Sequence, residues 1–148
     1  MDHVVELATS DSRPIAAVRF IARQDELPRL VPAACGEVWN YLKAAGVQGA
    51  GRHVAIYHDG QIDVEVGAEV PGPFVESDRV HCSAIPAGPV ATTAHFGDYS
   101  GLHHAHAAVL KWCQDHGRSL AGPNWEIYGH WSDDPAQVRT DVYYLLTT

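Results

Sequence analysis

Hydrophobic residues along this chain follow two rhythms, and the order of the rhythms repeats. Residues 14–22 (PIAAVRFIA) are small and β-branched, which predicts a strand, with Pro14 at its start where a missing ladder donor matters least. Leu27, Val31, Ala34, Val38, Leu42 and Ala45 then recur at steps of three and four, predicting a helix with one apolar face. Pro32 is expected in its first turn and Gly46 at its C-terminal stop. Residues 53–58 and 62–70 read as two strands joined by Asp59-Gly60, a pair that tolerates the positive φ of a tight hairpin. Pro71-Gly72-Pro73 ends this β-α-β-β run, and residues 79–85 form a candidate bridging strand.

The same order then returns: a strand at 89–96, a helix at 100–116 stopped by Gly117, and strands at 124–131 and 138–146. An offset of 71 positions equates Gly46 with Gly117, Gly51 with Gly122, Ile56 with Ile127 and Tyr57 with Tyr128. Two internal repeats, about 13–70 and 88–147, are therefore expected within one domain spanning 1–148. The later copy reads AGPNWEIY where the earlier reads AGRHVAIY, so Glu126 stands where the first copy has Ala55.

Strand alternation puts Trp125, Ile127, Gly129 and Trp131 on one side and Glu126, Tyr128 and His130 on the other. In the first copy Val54, Ile56 and His58 oppose Ala55, Tyr57 and Asp59. Helices need an apolar face to cover, so the expected α+β fold has duplicated β-α-β-β units and an antiparallel sheet with both helices on one face. A central ligand cleft is expected on the other face. A pseudo-two-fold axis would bring Tyr57 and Tyr128 to matching positions there.

Composition narrows the function classes. With 46% hydrophobic and 19% charged residues and no low-complexity run, the 148-residue chain is expected to fold around a cooperative core. A formal charge of −8 without a Lys or Arg cluster argues against a direct nucleic-acid surface. No run approaches the roughly 20 apolar residues of a membrane helix, and the N-terminus has no signal-peptide pattern, so a cytoplasmic protein is expected. Cys35, Cys82 and Cys113 lack zinc-knuckle or CxxC spacing and read as small residues in a reducing compartment. No cofactor fingerprint, phosphate loop or nucleophile elbow is present.

Candidate chemistry centres on Glu126. A carboxylate between Trp125 and Tyr128, with His95, Tyr143 and Tyr57 on nearby strands, is costly to bury unless it gains hydrogen bonds or a positive partner. Cation binding would use it together with the aromatic π faces; general acid or base catalysis is the alternative. Trp39 follows helical spacing and belongs either to the core or to a ligand wall. His103, His104 and His106 lack zinc-like partners, and no metal is expected; His106 falls near the stripe of Leu102, Ala105, Val109 and Cys113 and reads as a hydrogen-bonded structural histidine. His95 leads into the turn HFGDYSG, where Ser100 is a candidate N-cap.

Together, IPAGPVATTAHFGDYSGL, LHHAHAAVLKWCQDHG, AGPNWEIYGHW and TDVYYLL, with IDVEVGAEV in the first copy, resemble the GyrI-like family, the effector-binding domain of AraC-type and multidrug-sensing regulators. The resemblance covers nearly the whole chain. It implies two β-α-β-β repeats around a cleft for small, often cationic and aromatic, molecules, with the pocket acid at Glu126. Two departures touch the loops near that cleft: Gly97-Asp98-Tyr99 replaces a Gly-Pro-Tyr turn, and Glu69-Val70 replaces Val-Pro. No helix-turn-helix pattern accompanies the domain, so a complete transcription regulator is not expected.

The resemblance thus implies a stand-alone binding protein for an aromatic, cationic or electrophilic ligand, using Glu126, Tyr57, Tyr128, His95, Tyr143 and Trp39. It also admits a hydrolase of cyclopropane-bearing alkylating compounds acting through Glu126 and Tyr128, or an inhibitor of a topoisomerase. The expected partner is a small molecule, and the expected state a monomer or homodimer.

Overall fold

The computed structural model describes residues 3–59, 62–129 and 133–148. Eight strands and two long helices follow in the order β1 (Glu6–Ser10), β2 (Pro14–Ile21), α1 (Leu27–Ala44), β3 (His53–Tyr57), β4 (Asp63–Glu69), β5 (His81–Ala84), β6 (Gly88–Phe96), α2 (Leu102–Asp115), β7 (Leu120–Tyr128) and β8 (Arg139–Leu146). All eight strands join one antiparallel sheet in the order β1-β6-β8-β7-β3-β4-β2-β5. Among the described residues no helix is long and apolar enough to cross a membrane.

The two β-α-β-β runs read from the sequence are present, β2-α1-β3-β4 and β6-α2-β7-β8. They meet where β3 pairs with β7, in a register that sets His53 opposite Tyr128, Ala55 opposite Glu126 and Tyr57 opposite Asn124. The short strand before each run pairs with the edge of the other run: β1 with β6, and β5 with β2. Strand β1 was not legible in the polar start of the chain, because its residues are almost all exposed and carry no alternation. Gly60 of the expected hairpin, and His130, Trp131 and Ser132 near the end of the β7 segment, lie outside the described residues.

Both helices end as their sequences direct. Gly46 and Gly117 take φ of 73° and 64°, and the next residue donates back into the last turn, Val47 to Leu42 and Arg118 to Cys113. The starts differ from expectation. Helix α1 begins at Leu27, so Pro28 occupies the first turn and Pro32 lies further in. Ser100 does not cap α2: it sits in a single 3-10 turn, Tyr99–Gly101, and its hydroxyl donates to Asp98.

The larger correction concerns the faces of the sheet. Helix α1 packs on Ala16, Val18, Ala55, Val64, Val66 and Ala68, and α2 on Ala91, Val142, Tyr144 and Leu146. Alternation places Ala55 and Tyr57, and through the paired register Glu126 and Tyr128, on this same side. The helices therefore cover the Glu126 side, and the Trp125 side is not theirs. Trp125 and Ile127 instead join Ile15, Ala17, Val54, Ile56, Ile85 and Val90 in a second core. Its members run from β2 through β3 and β7 to β6, with Ile85 from the segment before β6, and all are buried although no helix covers this face, as a strongly twisted, curled sheet allows. An apolar sheet face needs burial, but a strongly twisted sheet can supply that burial without a helix.

Small residues permit the curl. A Cβ on Gly67 of β4 would stand 1.7 Å from the carbonyl oxygen of Ala16 on the neighbouring strand, so only glycine fits.

Candidate functional site

Between α1 and α2, above the β3–β7 pair, lies a cavity of about 1490 Å³. Helix α1 contributes Val31, Cys35 and Trp39; α2 contributes Leu102, His103 and His106; the sheet floor supplies His53, Tyr57, Asn124, Glu126, Tyr128 and Tyr144. Each floor residue comes from the helix-facing side of its strand. The first-copy strand adds the aromatic Tyr57 and the second adds the acid.

Glu126 is 6% exposed and its two oxygens are separately held. The Tyr128 hydroxyl donates to Oε1 at 2.5 Å, and His106 Nε2 lies 2.5 Å from Oε2. A carboxylate only accepts, so the His106 proton facing it is on Nε2. The other ring nitrogen, Nδ1, is 2.7 Å from the Tyr144 hydroxyl. Strand β8 thereby reaches Glu126 through the helix: Tyr144, His106, Glu126 and Tyr128 form one connected polar chain. Charge-assisted bonds of this kind are about twice as strong as neutral ones, which offsets the desolvation of the acid.

The surrounding phenols are held neutral. Burial, then the Glu126 charge, pushes the Tyr128 and Tyr57 hydroxyls well above the usual tyrosine range. The same two causes raise Tyr144 to about 12. Burial likewise raises the Cys35 thiol to about 11, so it is not a thiolate nucleophile at neutral pH. His53 is pushed down by burial, its Nε2 has no hydrogen-bond partner, and its ring meets Trp39 edge-on at 5.6 Å. Trp39 itself is 42% exposed at the cavity wall. Tyr99 closes over Tyr128 edge-on at 5.9 Å. At the lip, Arg52 pairs with Glu69 at 3.0 Å.

Of the six residues singled out in the sequence, the structure gathers Glu126, Tyr57, Tyr128 and Trp39 around this one cavity. His95 and Tyr143 are elsewhere. His95, on β6, stacks on His3 at 5.3 Å and its Nε2 donates to the Asp98 carbonyl at 2.9 Å, which anchors the turn into α2. Strand β8 lies between β6 and β7, and the His95 ring is committed to His3 and Asp98 rather than to Glu126. Tyr143 pairs across from Trp125 and stacks on it at 5.5 Å, on the curled apolar face. Both border a separate crevice of about 920 Å³ near β1.

Sequence reasoning chose the wrong member of the Tyr143-Tyr144 pair because it had no register for β8; Glu126 opposite Val142 and Asn124 opposite Tyr144 put the second tyrosine on the cavity side. It also read His106 as structural. Once the helices are assigned to the Glu126 side, a histidine beside the buried stripe of α2 is the donor that a buried carboxylate requires. Among the described residues no group of three or more His, Cys, Asp or Glu is arranged to hold a metal.

Solved structures share this architecture at low identity. The C-terminal domain of EcmrR superposes with a TM-score of 0.84 at 21% identity, over 100% of this chain and 99% of that one. SAV2435, solved bound to tetraphenylphosphonium, gives 0.65 at 10% identity over 99% and 94% of the two chains. A protein described as a hydrolase from Listeria innocua gives 0.64 at 12% identity over 97% and 91%. No curated protein matches the chain. The sequence profile of the GyrI-like small molecule binding domain spans residues 5–146, and with nearly the whole chain inside that profile the protein belongs to the GyrI-like family.

Proposed function

We propose that the cavity between α1 and α2 binds an aromatic cation, with Glu126 as its anionic anchor and Trp39, Tyr57 and Tyr128 as its walls. The observation that carries this reading is the Glu126 carboxylate, 6% exposed, on the floor of a cavity walled by Val31, Trp39, Tyr57 and Tyr128, whose other carboxylate, Glu69, is already paired with Arg52 at the lip. Such a site lowers the free energy of a positive, poorly hydrated ligand, through the charge and through cation–π contacts of about 0.5–2 kcal/mol each. Binding of tetraphenylphosphonium by SAV2435 supports the ligand class. Calorimetric titration with tetraphenylphosphonium is the test: Glu126→Gln keeps the shape and weakens binding tenfold or more, roughly the worth of a charged interaction. Equal affinity in the two proteins removes Glu126 from the site.

On the same reading the domain covers residues 1–148 and consists of two β-α-β-β halves about a pseudo-two-fold axis between β3 and β7. The register supports it, since the positions that the 71-residue offset equates, 55 and 126, are direct neighbours.

A second reading, hydrolysis of an electrophilic ligand, draws on the short contacts of Glu126 with His106 and Tyr128, groups able to hold a water and move a proton. The likeness to a Listeria innocua protein described as a hydrolase points the same way. Incubation with cyclopropane-bearing alkylating compounds, followed by mass spectrometry, separates the two readings: turnover over many equivalents establishes the enzyme, and unchanged compound leaves binding alone.

A further inference from the structure

We infer that the cavity exchanges a proton on His106 for its cationic ligand, so that ligand affinity rises with pH; this rests on the aromatic-cation reading of the same site. Glu126 is the acid of the cavity floor, and one of its oxygens is already committed to His106 Nε2 at 2.5 Å. With His106 neutral, Nε2–H donates to Glu126, Nδ1 accepts from the Tyr144 hydroxyl, and the carboxylate charge is uncancelled. With His106 protonated, Nδ1–H donates and the Tyr144 hydroxyl, 2.7 Å away, turns to accept. A hydroxyl can play either part, so both His106 nitrogens stay bonded in both states. What changes is charge: the protonated histidine sits against the carboxylate that a cation would use. An arriving cation and the Nδ1 proton therefore compete, and binding releases the proton to solvent.

The other groups facing the cavity do not supply this exchange. Tyr57, Tyr128 and Tyr144 are pushed up by burial, and so are Tyr99 and Cys35, so all five stay neutral across the physiological range. Arg52 is raised and Glu69 lowered within an ion-pair cluster that also takes in Arg13 and Asp141, so these charges stay fixed. His53 is pushed down by burial and stays neutral over most of the range. His103 remains, at the rim, with Nδ1 3.0 Å from the Ser100 carbonyl rather than against Glu126.

The experiment titrates the protein with tetraphenylphosphonium by calorimetry at pH 8 and pH 5.5, each in two buffers of different ionisation enthalpy. Affinity is expected to fall severalfold at the lower pH, with measurable proton release on binding there. His106→Gln retains a donor to Glu126 but cannot take the extra proton, and is expected to bind equally at both pH values; His103→Gln keeps the dependence. Wild-type binding that is the same at both pH values and releases no proton overturns the exchange while leaving the aromatic-cation reading intact. A slope that survives in His106→Gln also overturns it. Absence of binding at either pH overturns both readings. The proton count needs only the wild-type protein, so it decides the question even if His106→Gln fails to fold.

Discussion

Ala55 lies directly opposite Glu126 in the antiparallel pairing of β3 with β7. The 71-residue offset equates these two positions, so the point where the halves meet carries one carboxylate and one methyl group. Directly opposed Cβ atoms stand about 4.5–5.5 Å apart, close enough that two acids there would repel strongly. Ala55 is fully buried, which leaves no solvent to screen a second charge.

Ala55→Glu is therefore expected to lose about 3 kcal/mol of stability at pH 8, as an uncompensated buried charge does. The pair would share a proton, with one carboxyl raised above its unfolded value. A raised group contributes stability below its unfolded pKa and loses it as pH rises, so the deficit shrinks toward pH 5. Urea unfolding at the two pH values measures this, and a deficit independent of pH contradicts it.

The two adjacent tyrosines of β8 are expected to behave oppositely. Tyr144→Phe removes the hydroxyl bonded to His106 Nδ1 and should weaken tetraphenylphosphonium binding about threefold to tenfold, the worth of one hydrogen bond. Tyr143→Phe, stacked on Trp125 across the sheet, should leave binding unchanged. Fluorescence or calorimetric titration of both variants checks the assignment of faces.

This contrast also marks what the sequence could specify. Period-two and period-3.6 patterns located both helices and six paired strands, because burial on one face writes a periodic signal. Glu126 stood out for the same reason, as a charge in an apolar strand. Which face the helices take left no such trace. Trp125 and Ile127 needed burial, but whether a helix or the curled sheet provides it depends on residues gathered from β2, β3, β6 and β7, strands far apart in sequence. That missing fact set the expected cleft on the face away from the helices and hid His106, while the unread register of β8 favoured Tyr143 over Tyr144. His95 misled differently: a turn histidine beside a helix start looks the same whether it meets a ligand or, as here, the Asp98 carbonyl.

Gly67→Ala tests the curl of the sheet. The added Cβ would lie 1.7 Å from the Ala16 carbonyl oxygen, so β2 and β4 must separate. A loss of about 3 kcal/mol or more, or failure to fold, is expected. Thermal unfolding with an unchanged midpoint would contradict the close approach.

Two residues earlier in β4, Glu65 is 3% exposed and bonded to His58 at 2.8 Å and His81 at 2.9 Å. Burial pushes its pKa up, but hydrogen bonds from Ser83, His58 and His81 outweigh it and the net shift is downward. A lowered carboxyl contributes stability above its unfolded value, near 4.3, and loses it as pH falls through its folded value. Glu65→Gln should therefore be less stable than wild type at pH 6 by about 1–3 kcal/mol, with the difference shrinking below about pH 4. Denaturant unfolding across that window measures it; a gap that widens in acid contradicts the sign.

The most direct measurement is a crystal structure of the protein grown with tetraphenylphosphonium. The cation is predicted between α1 and α2, over Glu126 and within about 6 Å of the Tyr57 or Tyr128 ring. A cation bound instead in the crevice beside His95 and Tyr143, with the Glu126 cavity unfilled, would contradict the proposed site.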